Sequence, residues 1–396
     1  MKQNRTIKAA VGALLMMVLS AMYAWSYFKF ELGNAYPVWT QKQITLNFTI
    51  MMSLFCLGGL FAGSVLKKLS KTVQLLIAAA LIGVGFFGVS LLPASSGAAL
   101  VQMYICYGVL NGFGTGIAYN AVLSGVQPWF PDKPGMISGV LLMGMGIGTL
   151  ILGKLANAMI GAMGLNMTFR VFAIASAAIL AVCSPIICLP GSDFSVTAAA
   201  ASGSSAAKDY TTAEMIKRPT VWIYFVWNIM LSASGMLVIN SASSITVFYG
   251  LAAVVGLFVS LFNGFGRLFI GGCMDKLGWK GTMYLINGIL LLSGVLLLIG
   301  DRAGSPAIVV IGMLCTGICY GGGITICAAL IRQLYGGKHY ASNFSVCNLC
   351  TIPASILGPM LSAALQDGSG GYTSTFIMVI VMAAVAYVLN FFVRKP

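Results

Sequence analysis

One arginine stands alone in an apolar run. Residues 260–280 read SLFNGFGRLFIGGCMDKLGWK, and Arg267 lies eight residues before Asp275. On a helix that interval is roughly 12 Å. With Asp275 and Lys276 at the membrane surface, Arg267 falls well inside the bilayer, where a charge costs roughly 2.5–3.5 kcal/mol on insertion scales. A guanidinium is a planar fork that grips a carboxylate through two parallel hydrogen bonds. The chemistry to expect is therefore anion recognition, provided the chain does not supply its own counter-ion. All eight acidic residues (Glu31, Asp132, Asp193, Asp209, Glu214, Asp275, Asp301, Asp367) fall in loops or at the ends of apolar runs. Two fates remain open for Arg267. A substrate anion supplies the missing charge, or the guanidinium bonds to helix carbonyls or snorkels toward the surface.

Neutral polar residues in other apolar runs complete a candidate substrate site. Tyr23 and Tyr27 are four apart on one helical face. Tyr119 and Asn120 end a glycine run, Tyr320 holds the corresponding place later in the chain, and Asn263 is one turn from Arg267. Asn348 offers a further amide. Phenols and amides orient a carboxylate without adding charge, although interhelical packing and interfacial belts use the same residues. Asp275, Lys276, Lys280, Lys67 and Lys68 cluster in short turns and read as a cytoplasmic gate or as topology signals. Cys347 and Cys350 form a CxxC inside an apolar run, without the strand–helix context of a redox motif. No metal set, phosphate loop or activated nucleophile is recognisable, so neither a metal, a cofactor nor an enzyme is expected.

The elements that must position these residues are membrane helices. The chain of 396 residues is 59% hydrophobic and 8% charged, far below the charge of a soluble domain. An all-α integral membrane fold with twelve spans follows, at about 9–30, 44–66, 72–92, 98–122, 136–163, 169–189, 221–240, 251–274, 282–300, 307–334, 342–365 and 375–393. Three segments are assigned: residues 1–190, a six-helix half; residues 191–218, a cytoplasmic Ala/Ser linker; and residues 219–396, a second six-helix half. Thr211 and Glu214 have capping-box spacing for a short helix at the linker's end. The net charge of +14 sits in short basic clusters between apolar runs, the positive-inside pattern. It points to a multi-pass plasma (inner) membrane protein with both termini cytoplasmic, not to nucleic-acid binding.

The halves repeat. Gly63-x-x-x-Lys67-Lys68 has the layout of Gly271-x-x-x-Asp275-Lys276; Phe130 pairs with Tyr335, Gly153 with Gly358, and Thr168-Phe169 with Thr375-Phe376. Shifts of 205 to 208 residues in one order indicate two parallel six-helix repeats, an arrangement that places substrate at the bilayer midplane.

The turn Gly271-x-x-x-Asp275-Lys276-x-Gly278 resembles the signature after span 8 of the major facilitator superfamily. Within it, YAWSYF at 23–28, WTQKQITLNFT at 39–49, WFPDKPGMISG at 129–139, DYTTAEMIKRPTVW at 209–222 and SLFNGFGRLFIGG at 260–272 are similar to the oxalate/formate antiporter family. The resemblance implies exchange or symport of small carboxylates across the bilayer by a monomer, with protons or a counter-anion as coupled partner. Oxalate-handling members pair an arginine on span 8 with a lysine on span 11. Arg267 matches the arginine, whereas span 11 (SNFSVCNLCTIPASILGP) has no basic residue and Thr351 stands nearest the lysine position. One positive site suits a monocarboxylate such as formate, lactate or pyruvate better than oxalate. A drug or cation exporter would be expected to carry an intramembrane acid, and a transporter-like receptor would usually add a soluble domain.

Overall fold

Prolines and hydroxyl side chains set the helix starts. Thr40 and Gln43 form a capping box at the head of α3 (Gln41–Ser64), and Ser70 caps α4 (Lys71–Val89). Pro219 and Pro306 stand at the first positions of α10 (Pro219–Phe248) and α12 (Pro306–Tyr335), where a missing N–H costs nothing. Glycines with positive φ mark sharp breaks. Gly164 (φ 81°) is the whole link between α7 (Pro134–Met163) and α8 (Leu165–Cys183), and Gly278 (φ 71°) interrupts α11 (Leu257–Arg302).

The computed structural model describes residues 5–93, 96–190, 208–369 and 371–395, which are all-helical with turns and without strand. Most of the expected linker, residues 191–207, lies outside the described residues. The remaining helices are α1 (Arg5–Leu19), α2 (Trp25–Ala35), α5 (Ser96–Met103), α6 (Gly112–Val126), α9 (Thr212–Ile216), α13 (Tyr340–Asn348), α14 (Thr351–Ser369) and α15 (Thr373–Phe392). Among the described residues nine helices are long and apolar enough to cross a membrane. Cutting α11 at Gly278 and counting α5–α6 and α13–α14 as interrupted rods gives the expected twelve.

Three rods change winding in mid-course. A 3-10 stretch, Ser20–Ala24, joins α1 to α2; a π-helical stretch, Tyr104–Asn111, joins α5 to α6; and Leu349 and Cys350 separate α13 from α14. Such departures frequently mark functional positions.

By contacts the chain forms two compact units, Met1–Pro131 with Ile147–Ser195 and Asp132–Gly146 with Val196–Pro396. α7 is thus shared: its first part belongs to the second unit. In the first unit α3 packs on α6 and α4 on α8, around the rings of Phe28, Phe86, Tyr107, Phe169 and Phe172. In the second unit α11 packs on α12 and α15, and α10 on α14. The repeated pairs Thr168-Phe169 and Thr375-Phe376 are all fully buried, at the start of the last helix of each repeat.

Candidate functional site

Arg267 is 3% exposed on α11. Its Nη1 donates to the Leu142 carbonyl of α7 at 2.8 Å, and its Nε donates to Asn263 Oδ1 one turn back at 3.3 Å. Both acceptors are neutral, and no carboxylate pairs with Arg267 among the described residues. The carbonyl contact open from the sequence is realised, and snorkelling is not. A dipole offsets only part of a buried unit charge, because the cost of desolvating an ion is several kcal/mol. The guanidinium charge is therefore only partly offset by these two acceptors.

The geometry depends on a seam without side chains. Along α7 the stripe 135, 139, 142, 146 faces 264, 267, 268, 271 of α11. A Cβ on Gly139 would lie 2.5 Å from the Arg267 carbonyl oxygen, one on Gly135 2.4 Å from the Gly271 carbonyl oxygen, and one on Gly146 2.6 Å from Gly264 Cα. Only glycine permits that approach, and the approach brings the Leu142 carbonyl within reach of the guanidinium. On the other flank, a Cβ on Gly321 of α12 would overlap the backbone carbonyl of Asn263 at 2.0 Å, so α12 presses against the turn that carries Asn263 and Arg267.

Asp275 closes the seam. Its Oδ1 accepts from Gly135 N–H at 2.8 Å and its Oδ2 from Met136 N–H at 2.7 Å. One carboxylate thus caps the N-terminus of α7 from the neighbouring helix, where both the open N–H groups and the helix dipole favour a negative charge. Lys67, Lys68, Lys276 and Lys280 are exposed and make no hydrogen bond or ion pair among the described residues.

Tyr320 is 7% exposed on α12, its ring against Gly235 of α10. Asn348 ends α13, and its Oδ1 accepts from Thr351 Oγ1 at 3.4 Å across the break in that rod. The residue nearest the family's lysine position and the proposed amide are thus direct partners. Cys350, in the same break, accepts from Asn228 Nδ2 at 3.0 Å, and both CxxC sulfurs are buried free thiols. In the first unit Tyr119 is buried edge-on against Phe55, with ring centroids 5.0 Å apart. Asn120 is buried and Tyr23 half-buried in the 3-10 stretch. The side chain of Tyr27 lies outside the described residues.

Sequence reasoning missed three polar groups in the first unit. Among the described residues, Trp25 Nε1, both amide atoms of Asn47 and Asn111 Nδ2 are buried without a hydrogen-bond partner. They surround the π-helical stretch: the Trp25 and Tyr107 rings are 4.8 Å apart, and a Cβ on Gly108 would lie 3.1 Å from Asn47 Oδ1. Asparagine within an apolar run was the available signal.

The sequence model of the Major Facilitator Superfamily matches residues 9–315 and 288–396. An oxalate:formate antiporter of Oxalobacter formigenes is 26% identical over 98% of this chain and 91% of its own length. Apicoplast pyruvate carrier 1 of Toxoplasma gondii is 42% identical over a short stretch, 13% of this chain and 10% of its own. The solved structure of a proton:xylose symporter superposes with a TM-score of 0.76 at 14% identity, covering 99% of this chain and 95% of that one. With the family model spanning the chain and the fold shared with a solved transporter, the protein is an integral membrane transporter, not an enzyme, and belongs to the Major Facilitator Superfamily.

Proposed function

We propose that this transporter moves small carboxylate anions by alternating access, with a monocarboxylate such as formate, lactate or pyruvate favoured over oxalate, in exchange for another anion or together with a proton. The observation that carries the reading is Arg267: a guanidinium 3% exposed that, among the described residues, is held by a carbonyl and an amide. A carboxylate arriving there gains charge-assisted hydrogen bonds in a medium where they are strong. Thr351 in place of a second cation leaves one positive charge, which one carboxylate neutralises. The antiporter relative, by its name, handles oxalate and formate, and the carrier relative pyruvate; both lie in this substrate class. Tyr23, Tyr27, Tyr119, Asn120, Asn263, Tyr320 and Asn348 are assigned to orienting the anion. Asp275 is assigned to holding the cytoplasmic end shut in one state, with Lys67, Lys68, Lys276 and Lys280 beside it. The protein is placed as a monomer in the plasma membrane, both termini cytoplasmic.

The test is uptake of labelled formate, lactate, pyruvate and oxalate into proteoliposomes. Wild type should take up at least one monocarboxylate, and Arg267→Gln should take up none while keeping its elution profile and helix content. Uptake by R267Q at the wild-type rate would sink the anion-site assignment.

A further inference from the structure

The last turn of α12 carries a second guanidinium. Arg332 is half-buried and has no hydrogen bond or ion pair among the described residues. It faces Tyr340, and its Nη2 reaches over the following turn, 4.0 Å from where a Cβ on Gly337 would stand. Three residues on, Tyr335 is 1% exposed, and its hydroxyl, in the neighbourhood of Tyr210, Arg218 and Cys347, has no hydrogen-bond partner among the described residues. Residues three apart share a helical face, so two unsatisfied donors stand one turn apart. A buried hydroxyl left unpaired is costly, and native structures retain one where something else pairs with it. Two carboxylates beside this turn are already engaged: Asp209 Oδ1 accepts from Lys338 N–H at 3.0 Å, and Glu214 Oε2 accepts from Thr211 N–H at 2.8 Å. Arg218, stacked over Tyr210, and Lys338 leave the turn with more positive than negative charge.

We infer that Arg332 and Tyr335 form an anion site at the cytoplasmic end of α12, where a carboxylate pauses between Arg267 and the cytoplasm. A guanidinium and a phenol are the donors a carboxylate needs. Arg332 lies about 18 Å along α12 from Tyr320, a separate station from the one at Arg267. The inference rests on the carboxylate reading and on the cytoplasmic assignment of this turn.

The experiment is exchange in proteoliposomes with the carboxylate varied on one face at a time. Arg332→Gln should raise half-saturation on the cytoplasmic face on the order of tenfold and change the external face less than about twofold. Tyr335→Phe should act in the same direction more weakly, and Arg332→Lys should restore most of the loss. An equal effect on both faces, or none, overturns the site. Thermal stabilisation of purified R267Q by formate or pyruvate separates this inference from the transport reading. Stabilisation that disappears in R267Q/R332Q supports the site even where wild type transports neither anion, and then only the transport reading falls. No stabilisation of R267Q, or stabilisation that survives R332Q, overturns the site. A variant R332Q that loses stabilisation only by phosphatidylglycerol vesicles would assign the turn to a lipid headgroup and likewise overturn it.

Discussion

At the scale of single residues, the surroundings of one charge decide the chemistry. Arg267 contacts Leu142 O and Asn263 Oδ1, and the two contacts are not equivalent. The carbonyl is fixed by α7, whereas the amide can be removed. Asn263→Ala frees Nε without touching the charge. It should raise half-saturation for the carboxylate about three- to tenfold, as expected for one hydrogen bond of about 1 kcal/mol, and leave the maximal rate near wild type. Titrated uptake checks this; complete inactivation by N263A would mean that Asn263 holds the fold or that Arg267 cannot act without it. Arg267 was legible in the sequence because a lone cation in an apolar run must find a partner. Leu142 was not, because its contribution is a backbone carbonyl, which every residue type carries. The meeting of Asn348 and Thr351 was half legible: the missing lysine was visible, but the hydrogen bond across a helix break was not.

Between elements, the decisive feature is the seam of α7 and α11. Gly139 and Gly272 look alike in the sequence and differ in the fold. A Cβ at 139 meets the Arg267 carbonyl oxygen at 2.5 Å and Leu268 Cα at 3.0 Å, whereas one at 272 meets nothing within 4 Å. Gly139→Ala must push the helices apart and should cost about 1–3 kcal/mol, as overpacking does. Gly272→Ala should be neutral or stabilising by up to about 1 kcal/mol, because alanine favours the helix. Thermal unfolding of both variants in one detergent decides; equal effects would show that the seam is looser than the distances imply. The glycine-rich run at 144–148 announced close packing without naming a partner. Asp275 announced a turn, yet its two N–H partners lie about 140 residues earlier in the chain, beyond the reach of any local pattern. Two of the three breaks in the interrupted rods were also hidden; at the third, Pro353 has no N–H for the carbonyl of Leu349. No proline marks the 3-10 stretch Ser20–Ala24 or the π stretch Tyr104–Asn111, so packing against neighbouring helices has to set them.

For the whole molecule, the repeat extends to the segments that open each half. In the first turns of α1, Arg5 lies over the Phe130 ring at 5.2 Å and Lys8 over Trp129 at 4.4 Å. Before α10, Tyr210 packs edge-on against Tyr335 at 5.6 Å, and its N–H donates to the Tyr335 carbonyl at 3.0 Å. Each half thus anchors its entry segment on the turn after its fourth span, at Phe130 and Tyr335, the pair the sequence repeat had matched. In the second half Asn343 holds the anchor. It is fully buried, its Nδ2 donates to the Tyr210 carbonyl at 2.9 Å, and its Oδ1 accepts from Thr212 Oγ1 at 2.8 Å. The adjoining helix α9 is closed by the capping box of Thr211 and Glu214, whose hydrogen bonds hold the Glu214 carboxyl below its ordinary value of 4.5. A lowered folded-state value means that the box's contribution is present above that ordinary value and is lost as pH falls through the lowered one. At neutral pH the box is intact, so Asn343 can be tested alone. Asn343→Ala removes both hydrogen bonds and should free the entry segment by local unfolding. Trypsin should then cut after Lys217 about tenfold faster than in wild type, while cleavage after exposed Lys67 and Lys276 keeps its rate. Unchanged cleavage at Lys217 would mean that the aromatic contact and the Asp209–Lys338 hydrogen bond hold the entry segment without Asn343.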